Sequence, residues 1–134
     1  MSAMLSDMMW KSPLSACRWQ AKVDQCLERV CRVFGLHALL VADARGNVVG
    51  AAHHDSLTDS LAAHAPLLSL RGAPRRSIVA SLREDAPQTT GRRVKVQPFS
   101  LQRETFYLCA LTDPNPHEDT ALRSALTQLS ALMT

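Results

Sequence analysis

The stretch from Leu36 to Ala52, LHALLVADARGNVVGAA, decides the fold. Two short apolar runs flank the polar turn Asp43-Ala44-Arg45-Gly46-Asn47. Gly46 supplies the positive φ that a short hairpin loop needs, and Asp43 can accept a bond from the backbone two residues on. The spacing predicts an antiparallel hairpin with strands near residues 36–42 and 48–52. Its first strand is apolar almost throughout, with only His37 polar, which is the pattern of a strand covered on both faces. His37 is read as a sheet-edge or surface side chain.

Upstream of the hairpin, the pattern from about Ser15 to Phe34 is helical. Trp19, Val23, Cys26, Leu27, Val30, Val33 and Phe34 recur at intervals of three and four and form one apolar stripe. Arg18, Lys22, Gln25, Arg29 and Arg32 fall on the opposite face. Gly35 stops the helix, as a residue tolerant of the left-handed region does. Residues 1–15 read as a flexible tail in which Met4, Leu5, Met8 and Met9 have roughly helical spacing, which leaves 16–134 as the domain.

Downstream, Ser56-x-x-Asp59 has the form of a capping box, with Asp for the usual Glu. Leu57, Leu61, His64, Ala65 and Leu68 then share one helical face. Pro66 is expected to kink or end that helix, because it lacks the donor for residue 62 and crowds its carbonyl. In residues 71–91 the run Ser77 to Leu82 fits either a strand or more helix, and Pro87 to Gly91 reads as a loop. Arg93-Val94-Lys95-Val96-Gln97 alternates with period two, and Pro98 is expected to end that strand. Ser100 to Arg103 makes a turn into the apolar strand Phe106 to Leu111, so these two strands pair as a second hairpin. Asn115 as N-cap, Pro116 at the first helical position and Glu118 as reciprocal cap open the last helix. Its apolar face is Leu122, Ala125, Leu126, Leu129, Leu132 and Met133.

At 134 residues the chain is one domain, long enough to bury a normal core. No apolar run approaches the roughly 20 residues needed to span a bilayer. The first residues make a poor secretory signal, so a cytoplasmic protein is expected. The four cysteines show no C-x-x-C spacing and read as buried small hydrophobes or free surface thiols. His53-His54-Asp55 has no Cys or second His group at a useful spacing, so no metal site is expected.

The net charge of +3 is unevenly placed. Residues 1–67 balance six basic against six acidic side chains, whereas Arg71, Arg75, Arg76, Arg83, Arg92 and Arg93 face only Glu84 and Asp85. That basic region either solubilises a loop or contacts an acidic partner surface. It has no aromatic residue to stack on bases, which weakens a nucleic-acid reading. A phosphate-cradling glycine loop and a Ser nucleophile elbow are both absent from the sequence. Asp43, Asp55, Asp59 and Asp113 all have turn or cap explanations. No catalytic, cofactor-binding or metal residue is assigned, and the chain is expected not to be an enzyme.

The chain resembles the bacterial type of the roadblock/dynein-light-chain family. The resemblance rests on Gly35 to Val49, which looks like the family's "G-x-x-A-x-L-V-x-x-D-G-x-V" hairpin. It rests also on Val94 to Phe99 with Phe106 to Leu111 as closing strands, and on Leu111 to Asn115 leading into a C-terminal helix. The long arginine-rich stretch 71–91 and Pro66 depart from the family pattern.

The resemblance implies an α/β (α+β) profilin-like three-layer domain, a central antiparallel sheet flanked by helices, in the order α-β-β-α-β-β-β-α. It also implies a non-catalytic homodimer, joined by sheet continuation, that acts as a regulatory scaffold for a Ras-like small GTPase or other signalling protein, with no cofactor, nucleic acid or membrane partner. The apolar strand Val48, Val49, Gly50 and Ala51 is the expected dimer interface, since an apolar edge needs cover. Asp55, Asp59, Arg75 and Arg76, flanking the second helix, are the expected partner interface. Two other readings stay open. One is a GAF- or PAS-like small-ligand sensor using His37, His64 and Tyr107, and the other is a structural subunit of a larger complex.

Overall fold

A computed structural model describes residues 13–69, 73–101, 103–113 and 117–133, apart from the side chains of residues 13–19, 73–75, 118 and 133. The first helix, α1, runs Pro13–Phe34 and is followed by the hairpin of β1 (Ala38–Asp43) and β2 (Val48–Ala51). Two consecutive helices come next, α2 (Ser56–Leu68) and α3 (Ala73–Asp85), and then a short 3₁₀ turn, Pro87–Thr89. The second hairpin is β3 (Arg93–Leu101) and β4 (Glu104–Thr112), and α4 (Glu118–Met133) closes the chain. The four strands form one antiparallel sheet in the order β2-β1-β4-β3.

This differs from the expected order at one place. The stretch expected to hold a third strand is helix α3 plus the 3₁₀ turn. Within it Ile78, Val79 and Leu82 lie one and three residues apart, so one helical face carries all three to the core against α2. Helix α1 begins at Pro13, slightly before the expected start near Ser15, at the position where a proline's missing donor does no harm. The expected tail up to residue 12, the Trp19 side chain and the Asn115–Pro116 cap lie outside the described residues.

Alternation along the strands sorts the core into two layers. On one face Leu39, Val41, Phe106, Leu108 and Ala110 pack with Val23, Leu27 and Val30 of α1 and Ala125 and Leu129 of α4. On the other face Leu40, Ala42, Cys109 and Leu111 pack with Leu61, Ala65 and Leu68 of α2 and Leu82 of α3. The central strands β1 and β4 are buried on both sides, as the apolar run from Ala38 to Ala42 predicts. The three-layer arrangement of helices, sheet and helices is therefore present.

Several local expectations need correction. Val33 does not join the core but stands 69% exposed. It lies at one margin of the α1 stripe. At the other margin Cys31 is buried, because the chain folds back over that side, with its thiol bonded to the Leu36 carbonyl at 3.1 Å. The N-cap of α2 is Asp55 rather than Ser56, its carboxylate accepting from Thr58 N–H at 2.9 Å. Pro66 does not end α2, which continues to Leu68. The Ala62 carbonyl that Pro66 deprives of a donor lies against the hairpin turn at Gly46. A Cβ on Gly46 would come within 3.3 Å of that oxygen, and its φ is +84°. Gly46 is thus required twice, for the turn and for the approach to α2.

Pro98 does not end β3, which runs on to Leu101. It sits in an unbroken ladder opposite Tyr107 although it has no N–H to donate. It therefore occupies a position whose backbone faces away from β4, the place where an edge strand tolerates proline.

Candidate interaction edges

The sheet ends in two edge strands, β2 and β3, and they are treated differently by the rest of the chain. The expected interface strand β2 is an edge, but it is short, bulged and covered. The pairing shifts between Val41↔Gly50 and Ala42↔Val48, which leaves Val49 without a partner on β1. The Ala52 N–H donates inward to Leu39 O at 2.9 Å, so by alternation Ala51 faces outward. Its N–H is taken by Asp24 Oδ1 of α1 at 2.8 Å.

The other carboxylate oxygen of Asp24 meets His54 Nε2 at 2.9 Å. Asp24 thus ties together α1, the outer side of β2 and the loop that leads to α2. Beside it, Gly50 backs onto Val23 so closely that a Cβ would stand 2.4 Å from Val23 Cγ1. Of the four residues expected at a dimer interface, Gly50 is buried against Val23 of α1, Ala51 is buried in the layer packed by α2, and Val48 and Val49 are half-buried.

Strand β3 is different. It is nine residues long, pairs only with β4 among the described strands, and has no β-bulge. The parity set by Pro98 turns the backbone groups of Val96 and Ser100 outward as well. Lysine on an edge strand commonly serves to repel other strands. Lys95, however, has its ammonium drawn to Asp119 of α4 at 2.8 Å. Val96 and Phe99 are half-buried on opposite faces, and Pro98 is exposed between them. The edge thus combines main-chain groups with apolar side chains.

The expected partner-interface residues lie toward the two ends of α2. Asp55 and Asp59 are exposed at the start of α2, and the Asp55 carboxylate is engaged as the N-cap. Arg76 is exposed on α3, whose start follows the other end of α2. The side chain of Arg75 lies outside the described residues.

Three histidines each face an aspartate on another part of the fold. His37 Nε2 meets Asp113 at 2.9 Å, His54 meets Asp24, and His64 Nε2 is 3.6 Å from Asp85. His64 also bonds the Ser60 carbonyl through Nδ1, which places it at the rim of the core as expected. The candidate polar lining of a ligand pocket, His37, His64 and Tyr107, is spread over the start of β1, the middle of α2 and β4. None of the three is fully buried. Among the described residues no group of three or more His, Cys, Asp or Glu is placed to hold a metal ion.

Cys26, Cys31 and Cys109 are buried and free of disulfides. Burial pushes the Cys109 thiol up to about 12, so at neutral pH it is a protonated hydrophobe rather than a nucleophile. Asp24, the residue that organises the β2 edge, escaped the sequence reading because its partners lie 27 and 30 residues away.

Two exposed aspartates carry an acid dependence. The His37 hydrogen bond, helped by the charges of His37 and Arg92, holds the Asp113 carboxyl below its ordinary 3.8. The Lys95 hydrogen bond does the same for Asp119. A carboxyl lowered in the folded state stabilises the fold above its unfolded value, and that contribution is lost as pH falls through the folded value. The melting temperature should therefore drop as the pH is lowered from about 4, near the ordinary carboxylate range. Asp119→Asn should flatten part of that slope and leave the neutral melting temperature little changed, as expected for a surface pair. Thermal melts of both proteins across this range check it.

No family model, curated protein or solved structure matches this chain. No helix among the described residues is long and apolar enough to cross a membrane.

Proposed function

We propose that this chain is a non-catalytic, homodimeric scaffold of the roadblock-like kind, whose two sheets join through β3 rather than β2. One observation carries the reading: β3 is a nine-residue edge whose outer side meets no other described strand, while the outer side of β2 is already occupied by α1. The outward-facing stretch from Val96 to Ser100 can recruit another strand, with main-chain bonds supplying affinity and alternate side chains supplying register.

A two-fold axis at Gln97 makes β3 self-complementary. It sets Val96 opposite Pro98 and Lys95 opposite Phe99, so no like charges face each other and apolar groups meet at the centre. The register wastes only the donor that Pro98 lacks. The α2–α3 layer, with Asp59 and Arg76 exposed, is then left to face a Ras-like small GTPase or another signalling protein.

Val96→Pro tests this directly. The Val96 N–H points away from β4, so the substitution removes a donor to a second strand and none to the molecule's own ladder. The expected result is a folded monomer with unchanged far-ultraviolet dichroism, against a dimer for the unaltered chain. A dimer that survives Val96→Pro would remove β3 from the interface.

A further inference from the structure

The two edges of one sheet create a hazard as well as an interface. A strand pairing β3 with β3 closes a two-fold dimer and stops. A strand pairing β3 of one copy with β2 of the next is head-to-tail, does not close, and propagates into a filament. We infer that Asp24 is the stop that forbids the second mode, so that association at β3 ends at a closed pair.

The geometry places this function on one side chain. Strand β2 has few outward main-chain groups, because it is four residues long and bulged at Val49. The outward Ala51 N–H already donates to Asp24 Oδ1 at 2.8 Å. An incoming strand must put a carbonyl oxygen where that carboxylate stands, so it meets negative charge instead of a donor. Removing the carboxylate by a rotamer change is resisted from two sides. His54 Nε2 holds the second oxygen at 2.9 Å, and Val23, next to Asp24 on α1, is fully buried against Gly50. The donor cap, the charge and the clamp converge on one side chain at the β2 edge. The occupant excluded is therefore a second copy of this chain, presenting β3.

This inference rests on β3 being the adhesive edge, and the test separates the two. The unaltered chain, Asp24→Asn, Asp24→Ala, and Asp24→Ala combined with Val96→Pro are compared by light scattering over a concentration series, with dichroism reporting the fold. Asp24→Asn keeps an oxygen for Ala51 but loses the charge, so its growth should fall between that of the unaltered chain and that of Asp24→Ala. Asp24→Ala should keep its secondary structure yet grow in mass with concentration, past the particle formed by the unaltered chain. Adding Val96→Pro should abolish that growth, because the strand that would enter β2 is then disabled.

A folded Asp24→Ala with the mass of the unaltered chain overturns the stop. Growth that persists with Val96→Pro overturns it too, since the association then comes from exposed core rather than from strand pairing. A monomeric unaltered chain removes the dimer reading, while the response of Asp24→Ala still decides whether β2 is guarded.

Discussion

Gly50→Ala is expected to lower the stability by about 1–3 kcal/mol, the range for forcing a methyl group into a packed site. The added Cβ would stand 2.4 Å from Val23 Cγ1, 3.1 Å from Val23 Cβ and 3.2 Å from Asp24 Oδ1. None of these neighbours can move cheaply. Val23 is fully buried and stiff at χ1, and Asp24 is held by Ala51 and His54. Relief requires α1 to lift off β2, which weakens the Asp24 bonds at the same time. Gly50→Val should cost more than Gly50→Ala. Adding Val23→Ala to Gly50→Ala should recover part of the loss, because the clash is shared by two contacting residues and their effects do not add. Urea unfolding of the three variants checks this, with the midpoint shifted and the slope preserved. A neutral Gly50→Ala would mean that α1 does not press on β2 as described.

Leu108→Ala should produce a loss of similar or greater size, about 2–5 kcal/mol, as for large-to-small changes in a closed core. Leu108 is fully buried in β4, a central strand, between β1 and β3 and beneath α1 and α4. Its neighbours belong to four elements, so the cavity cannot close by a small shift of any one. The contrasting case is Val33, 69% exposed on α1, where Val33→Ala should stay within about 0.5 kcal/mol. The pair distinguishes the core that is present from the one that apolar spacing alone suggests. Equal losses at both sites would contradict the burial described.

What was legible in the sequence was whatever depends on local periodicity. The Asp43–Asn47 turn, the stripe on α1, the alternation from Arg93 and the buried run in β4 all follow from residues a few positions apart. Local periodicity misleads where tertiary placement decides. Ser77 to Leu82 is apolar enough for a strand, and only its packing against α2 makes it helix. Pro98 reads as a terminator, because sequence does not show which way a backbone faces; at an outward position it continues the strand. Val33 has the right spacing for a core residue and the wrong side for the way the chain folds back over Cys31.

The candidate interface was legible only in kind. An apolar edge strand could be read from Val48 to Ala51, but not the bond from its outward Ala51 N–H to Asp24, which lies 27 residues upstream on a helix. Strand β3, with its proline and lysine, reads in isolation as a blunted edge. The tie between Lys95 and Asp119 and the outward parity of Pro98 come from tertiary placement and do not show in the strand alone.

The central claim is that this chain pairs with itself through one edge of its sheet and then stops. The most direct measurement is the native mass by multi-angle light scattering across a dilution series starting at micromolar protein. The predicted result is a single species of twice the 14.7 kDa chain, falling to the monomer only on strong dilution. A mass of one chain at every concentration would contradict the account.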